Sequence, residues 1–158
     1  MSGPTELAPA LPDLDQVEIF RSFLIAHARI TRKLDEELIT EHNLSLADFD
    51  VFVQLAERPG RCARMAELAD ALLLSRSGAT RLIERLEREG MVTRSRANGD
   101  GRGVTATLTE QGLRRFREAS TTHLRGIQEH FLSQLSPIEL VAAGQLCQQL
   151  VRSIETKV

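Results

Sequence analysis

The 158-residue chain contains no tryptophan and no tyrosine, and its aromatic residues are six phenylalanines. Its two cysteines, Cys62 and Cys147, lie far apart in the sequence and form no CxxC motif. This cysteine usage argues against a disulfide framework and against a structural zinc site, and it is typical of a reducing compartment. We therefore expect a cytoplasmic protein.

Long apolar segments are also missing. No run approaches the roughly 18 residues that suggest a membrane span. The N-terminal sequence MSGPTELAPALPDLD has neither a basic region nor a continuous apolar core, so no secretory signal and no membrane partner are expected. The GxSxG, P-loop, HExxH and dinucleotide-binding motifs are absent as well. The sequence therefore does not predict an enzyme, although a catalytic triad assembled from distant residues would leave no motif.

The charge of the chain is unevenly distributed. The net charge is −2, but the segment from Arg58 to Arg117 contains 13 arginines and 7 acidic residues, and its net charge is +6. A localised basic region can be the electrostatic footprint for a polyanion even in an acidic protein. A solvated surface, or a general preference for arginine, would give the same count. Charge alone does not decide between these readings.

The spacing of apolar residues predicts a mainly helical chain with one β-hairpin, and capping residues and glycines set the boundaries. The Asn-Gly and Asp-Gly pairs in ANGDGR, between two β-prone runs, are strong hairpin signals. In chain order, the predicted elements are helices over residues 14–42, from Ser45 to the RPGR turn, around 65–72 and from Ser75 to Gly90, strands over 91–96 and 103–109, a long helix from Thr109 to about Ser133, and a last helix beginning at the SPIE segment.

This order predicts a winged helix-turn-helix, mainly α with a small β-hairpin wing, with N- and C-terminal dimerisation helices. A central unit of roughly 65 residues buries its own core only marginally. The amphipathic terminal helices must cover their apolar stripes, and a second copy of the chain is the natural partner, so we expect a homodimer. The predicted divisions are a disordered lead over residues 1–12, an N-terminal helix over 13–44, the winged domain over 45–109 and C-terminal helices over 110–158.

The predicted helix over residues 75–89 has two chemically different sides. Ser77 and Arg81 lie at the centre of the side opposite the apolar residues. Small hydroxyls and arginines on its N-terminal half suit entry into the DNA major groove, where arginine pairs with guanine. In the C-terminal half, Arg85 and Arg88 alternate with glutamates. Ion pairs on a surface helix, or phosphate contacts, explain these two arginines as well as base contacts do.

The segment AELADALLLSRSGATRLIERLEREGMVTR, followed by DGRG and then LTEQG, resembles the MarR family of bacterial transcription regulators. The resemblance is close over residues 60–112 and looser over the whole order of helices. Members of that family are dimers whose terminal helices interlock. The resemblance therefore implies double-stranded DNA as a partner and a recognition helix that opens at Ser75. The implied DNA contacts of this helix are Ser75, Arg76, Ser77, Thr80 and Arg81.

The same resemblance assigns roles in the wing. Arg102 matches the family arginine that reaches into the minor groove, where the negative potential attracts a guanidinium. Asp100 matches the acidic residue that organises the wing through an ion pair with an arginine. Arg94 and Arg96, at the wing base, suit phosphate contacts. The tip departs from the family pattern because it carries asparagine and glycines in place of prolines and a doubled arginine, so we expect it to be more mobile.

We therefore predict a sequence-specific transcriptional regulator, acting as a repressor, that binds a pseudo-palindromic operator as a homodimer. Members of the family commonly release DNA when a small molecule enters a crevice between the dimerisation helices and the winged domain. The resemblance thus implies a small aromatic or anionic ligand, with Arg21, His27 and Phe52 as candidate liners. A winged-helix protein–protein module without DNA binding is the alternative, although such modules usually show an apolar patch on the face that is polar here.

No cofactor and no metal are predicted. His123 and His130 lie seven residues apart, two helical turns along one predicted helix, which is too far for one ion. Cys62 lies in a predicted turn, and we interpret it as a bystander thiol. Cys147 lies among apolar positions of the last helix and is predicted to be packed.

Overall fold

The computed structural model describes residues 11–96 and 103–155. Its elements confirm the predicted order, with six helices, three strands and two single-turn 3₁₀ helices in this part of the chain. In chain order they are α1 (Leu14–His42), α2 (Leu46–Ala56), a 3₁₀ turn (Pro59–Arg61), β1 (Cys62–Arg64), α3 (Met65–Ala71), α4 (Arg76–Arg88), β2 (Val92–Arg96), β3 (Val104–Leu108), α5 (Glu110–His130), a 3₁₀ turn (Leu132–Gln134) and α6 (Pro137–Glu155).

The predicted helix caps are present. The hydroxyls of Ser45, Ser75 and Thr109 each accept a hydrogen bond from the backbone N–H three residues further on, at 3.2, 3.1 and 3.0 Å. The Asp48 carboxylate in turn accepts a hydrogen bond from the Ser45 N–H at 3.0 Å, which completes a capping box. Such caps satisfy backbone donors that the first turn of a helix leaves without partners. Local sequence therefore determines where α2, α4 and α5 begin.

The sheet has one strand more than the predicted hairpin. β1 pairs antiparallel with β3, so the strand order is β1-β3-β2, with Ala63 and Arg94 both opposite Ala106. Cys62 is the first residue of β1, and the interpretation of its position as a turn was wrong. The reason is that β1 is only three residues long and is defined by pairing with a strand 40 residues away, which leaves no local alternation to read.

The hydrophobic core lies in the winged unit and continues into α5. Phe116 of α5 packs against Phe49 of α2, with ring centroids 5.4 Å apart. Phe52 is fully buried, so the prediction that it lines a ligand crevice was wrong: its side of α2 faces the core. The buried residues of this core are Leu38, Leu44, Phe49, Val51, Phe52, Leu55, Ala63, Leu68, Ile83, Leu86, Val92, Ala106, Leu108 and Ala119.

The C-terminal half of α1 packs along α5. A polar cluster accompanies the apolar contact: the buried Thr122 hydroxyl donates to Glu41 at 2.8 Å and lies 2.8 Å from Nε2 of His42. One turn earlier in α1, Oε1 of Glu37 lies 2.6 Å from Nε2 of His130 in α5. The Thr122 hydrogen bond is the main reason that the pKa of Glu41 lies below its ordinary range. This contact attaches the N-terminal arm to the winged unit.

The N-terminal half of α1 and the whole of α6 present uncovered apolar side chains. No described side chain of α6 is buried. Cys147 is exposed as well, so the prediction that it is packed was wrong for the single chain, in which α6 lacks a covering surface. The large exposed apolar residues of these two helices are Leu14, Val17, Ile19, Phe20, Phe23, Leu24, Ile25, Ile39, Ile138, Val141, Leu146, Leu150, Val151 and Ile154.

The glycine of the LTEQG segment marks the closest approach between α5 and the base of the wing. Thr109, the cap of α5, donates its hydroxyl to Gly90 O at 2.7 Å. A Cβ on Gly112 would collide with the carbonyl oxygen of Met91 and would lie 2.6 Å from Cδ1 of Leu108. Only a residue without a side chain allows the helix and the wing base to meet here.

Gly112→Ala should therefore lower the free energy of unfolding by about 1–3 kcal/mol, the usual cost of overpacking. Gly144→Ala is the matched control, because a Cβ there meets nothing within 4 Å. The control should raise the stability by up to about 1 kcal/mol through helix propensity. Urea denaturation of both variants measures the difference, and equal stability of the two would contradict the packing account.

Candidate nucleic-acid interface

The turn between α3 and α4 places the N-terminus of α4 at the surface. Leu73 adopts a left-handed backbone conformation with φ 55°, and the Leu74 N–H bonds to Ala69 O at 2.9 Å. These features end α3 and redirect the chain within three residues. Ser75 then caps α4 through the Gly78 N–H. The result is a helix-turn-helix whose second helix starts in solvent.

One side of α4 is apolar and buried and the opposite side is polar and exposed, as the sequence predicted. Ala79, Ile83 and Leu86 are fully buried. Of the five predicted contact residues, Ser75, Arg76, Ser77 and Arg81 are exposed and Thr80 is half-buried. The Thr80 hydroxyl donates to Arg76 O at 2.8 Å, and the Ser75 and Ser77 hydroxyl oxygens lie 3.2 Å apart. The structure thus brings all five residues together on the first two turns of one helix.

The charge on α4 changes along its length. Residues 75–83 contain two arginines and no carboxylate, whereas residues 84–89 contain three glutamates and two arginines. Arg85 forms an ion pair with the buried Asp48 of α2 and a second one with Glu89 at 3.4 Å. The hydrogen bond to Asp48 is the main reason that the pKa of Arg85 is raised. Of the three alternatives for the C-terminal half, the structure shows ion pairs for Arg85.

The base of the wing lies beside α4. Arg94 is half-buried and forms ion pairs with Glu84 at 3.0 Å and with Glu87 at 2.8 Å. Arg96 is exposed at the end of β2. The predicted tip residues Asp100 and Arg102 lie outside the described residues, so their roles stay predictions.

A cleft of about 430 Å³ lies between the start of α3, the start of α4 and the wing strands. Three arginines line it, namely Arg64, Arg76 and Arg94, together with the hydroxyl-bearing Thr80. Sequence reasoning missed Arg64, because its place beside α4 depends on the unpredicted strand β1. The cleft connects the exposed half of α4 with the wing, and its Arg64 and Arg76 suit an anionic ligand or a nucleic acid backbone.

Other kinds of site find little support in the described residues. Across residues 11–96 and 103–155, no group of three or more His, Cys, Asp or Glu side chains is arranged to hold a metal ion. None of the helices in the same ranges combines the length and the apolar character of a membrane span. Arg21 and His27 are exposed on α1, where Arg21 lies 3.6 Å from Glu18.

These elements form a winged helix-turn-helix, the class of protein in which a recognition helix and a hairpin wing flank one surface. Comparison with known proteins narrows the class. The sequence model of the MarR family matches residues 42–103. The chain is 30% identical to a MarR family transcriptional regulator from Silicibacter pomeroyi, with a TM-score of 0.72, over 88% of this chain and 95% of the other. The chain belongs to the MarR family of transcriptional regulators.

Two further relatives support this assignment. The crystal structure of the MarR family regulator Sco3205 from Streptomyces coelicolor, in complex with DNA, has a TM-score of 0.87 at 26% identity, covering 94% of this chain and 92% of that one. YwhA of Bacillus subtilis, an uncharacterized HTH-type transcriptional regulator, is 33% identical over 89 residues, or 56% of this chain. The chain spans 62% of the length of YwhA. These relatives are described as transcriptional regulators.

Proposed function

We propose that this protein is a sequence-specific DNA-binding repressor that binds a pseudo-palindromic operator as a homodimer in the cytoplasm. The observation that carries the proposal is the exposed N-terminal half of α4, where hydroxyl and guanidinium groups stand without a carboxylate, beside a cleft that leads to the wing. The family membership and the DNA complex of a relative support it. A dimer seated on an operator blocks access of other proteins to the same DNA.

The proposed DNA contacts divide between two grooves. Arg76 and Arg81 are placed to pair with guanine edges in the major groove, and the hydroxyls of Ser75, Ser77 and Thr80 can bond bases or phosphates. Arg96, exposed at the end of β2, is assigned to a phosphate. Arg102, with Asp100 as its organiser, is assigned to the adjacent minor groove on the family resemblance. Arg94 is not assigned to a groove or a phosphate here, because its guanidinium already bonds the carboxylates of Glu84 and Glu87.

The proposed homodimer follows from the uncovered apolar faces of α1 and α6. Monomeric soluble proteins rarely expose large contiguous apolar patches, and such patches mark interaction sites. Both ends of the chain carry such an apolar face. A two-fold axis would place each face against the same face of the partner chain. The proposed division of labour is residues 45–109 for DNA, and residues 13–44 and 110–158 for dimerisation. The symmetry of the dimer would match the symmetry of the operator.

Release of DNA by a small aromatic or anionic ligand is the remaining part of the proposal. Family membership supports it. Phe52 is not assigned to the site of this ligand, because its side chain is buried in the core.

The DNA-binding proposal is tested by a gel-shift assay with mixed-sequence and operator-like duplexes at 50 and 200 mM salt. Arg76→Ala combined with Arg81→Ala should weaken binding by more than roughly tenfold, since each such contact is worth about 1–3 kcal/mol. The matched control is Arg29→Ala with Arg32→Ala, which removes the same charge from exposed positions of α1. Equal effects of the two pairs would contradict the assigned face. No binding by the wild-type protein would favour the protein–protein module.

The dimer is tested by sedimentation equilibrium. Leu146→Glu places a charge in the apolar stripe of α6 and should convert the wild-type dimer into a folded monomer, because an unpaired buried charge is costly. Gln148→Glu is the control, because it adds the same charge beside Gln145 and Arg152 on the polar side of that helix. A monomeric wild-type protein, or dissociation by both variants, would refute the proposed interface.

A further inference from the structure

The second half of α4 is held from two sides. On one side, Arg85 bonds the buried Asp48 of α2. On the other side, Glu84 and Glu87 bond Arg94, which lies in the first wing strand. The recognition helix is therefore linked by charged hydrogen bonds both to the core helix behind it and to the wing beside it.

The contact between Arg94 and Glu87 uses both oxygens of one carboxylate. Oε1 of Glu87 accepts from the backbone N–H of Arg94 at 2.9 Å, and Oε2 accepts from Nε of the same residue at 2.8 Å. Nη1 of Arg94 donates to Glu84 at 3.0 Å. Charge-assisted hydrogen bonds of this kind are roughly twice as strong as neutral ones and fix orientation as well. We name the set Glu84, Glu87 and Arg94 the wing brace.

The turn after α4 explains how these residues meet. Gly90 has a φ of 76°, and the Met91 N–H returns to Leu86 O at 2.9 Å. The chain therefore doubles back, and β2 starts alongside the last turns of α4. Glu84 and Glu87 are three residues apart, so they share one helix side. That side faces the wing strand.

We propose that Arg94 is a positioning residue for DNA binding, whose ion pairs with Glu84 and Glu87 fix the angle between the recognition helix and the wing. This inference rests on the proposed function, and it replaces the phosphate contact that the sequence suggested for Arg94. The wing brace determines whether α4 and the wing can reach their two grooves at the same time.

The local charge argues against a phosphate contact. One guanidinium with two carboxylates leaves a net charge of −1, and this surface would repel a DNA backbone. The hydrogen bonds from Arg94 hold the pKa of Glu87 below its ordinary range, so Glu87 stays ionised at neutral pH. Arg94 is also only 29% exposed in its side chain, whereas Arg96, two residues further along the same strand, is exposed. The two arginines of the wing base therefore have different environments.

The neutral variant Glu84→Gln with Glu87→Gln separates the two roles by the sign of its effect. If Arg94 contacts phosphate, removing two nearby negative charges should strengthen DNA binding. If the wing brace positions the wing, the same variant should weaken binding by about tenfold, as expected for coupled contacts. Glu89→Gln is the control on the same helix: Glu89 bonds Arg85 instead of the wing, and its loss should not weaken binding.

The salt dependence gives a second readout. The logarithm of the DNA-binding constant falls linearly with the logarithm of the salt concentration, and the loss of one phosphate contact makes this slope less steep by about 0.9. A lower slope means a less steep one. Arg94→Met should weaken binding with an unchanged slope, and it should have little further effect in the Glu84→Gln, Glu87→Gln background. Arg96→Met is the matched control and should lower the slope by about 0.9. Tighter binding by the double glutamine variant, or a lower slope for Arg94→Met, overturns the proposal.

Hydrogen exchange without DNA keeps this test independent of the proposed function. In the double glutamine variant, amides of β2 should exchange about tenfold faster than in the wild-type protein, while those of α5 should not change. Unchanged exchange in β2 overturns the wing brace. If β2 exchanges faster in the variant but the wild-type protein binds no DNA, the wing brace is supported as a structural contact. The DNA-binding function is then refuted.

Discussion

The packing of α5 against α1 is the contact through which the two parts of the protein are joined. Leu34 and Leu38 of α1 are buried along it, and Thr122 bonds the last turn of α1. The same α5 carries Phe116 into the winged core and, in its first turn, meets the wing base at Gly112, where a side chain would collide with Met91. The position of the terminal helices relative to the wing therefore depends on α5. In the proposed dimer, the placement of the two recognition helices would depend on this contact.

The basic segment contains fewer available charges than its composition suggests. Arg58, Arg61, Arg85, Arg94 and Arg115 each pair with a carboxylate in the structure. The arginines that face the proposed DNA surface are concentrated at the start of α4, with Arg64 in the cleft beside it. The acidic second half of α4 forms ion pairs with the rest of the winged domain. The basic first half of α4 faces the proposed DNA surface. This division explains how a protein with a net charge of −2 can present a local site for a polyanion.

Local signals predicted most of the fold, because caps such as Ser45 and Thr109 and the left-handed Gly90 act within a few residues. Strand β1 was missed because three residues become a strand only through a distant partner. Burial was harder to predict: Phe52 and Cys147 both lie on apolar helix faces, yet one faces the core and the other faces solvent in the single chain. The sequence located the exposed half of α4 correctly. Its prediction for Arg94 did not foresee the two glutamates, because their proximity depends on the turn at Gly90.

In the proposed function, a symmetric pair of these chains reads one operator through two copies of α4. Selection of bound sequences from a pool of random duplex DNA tests it most directly. We expect enrichment of an inverted repeat whose half-site centres lie about one helical turn, or ~34 Å, apart. Recovery of no enriched sequence, or of a single motif without an inverted copy, would contradict it.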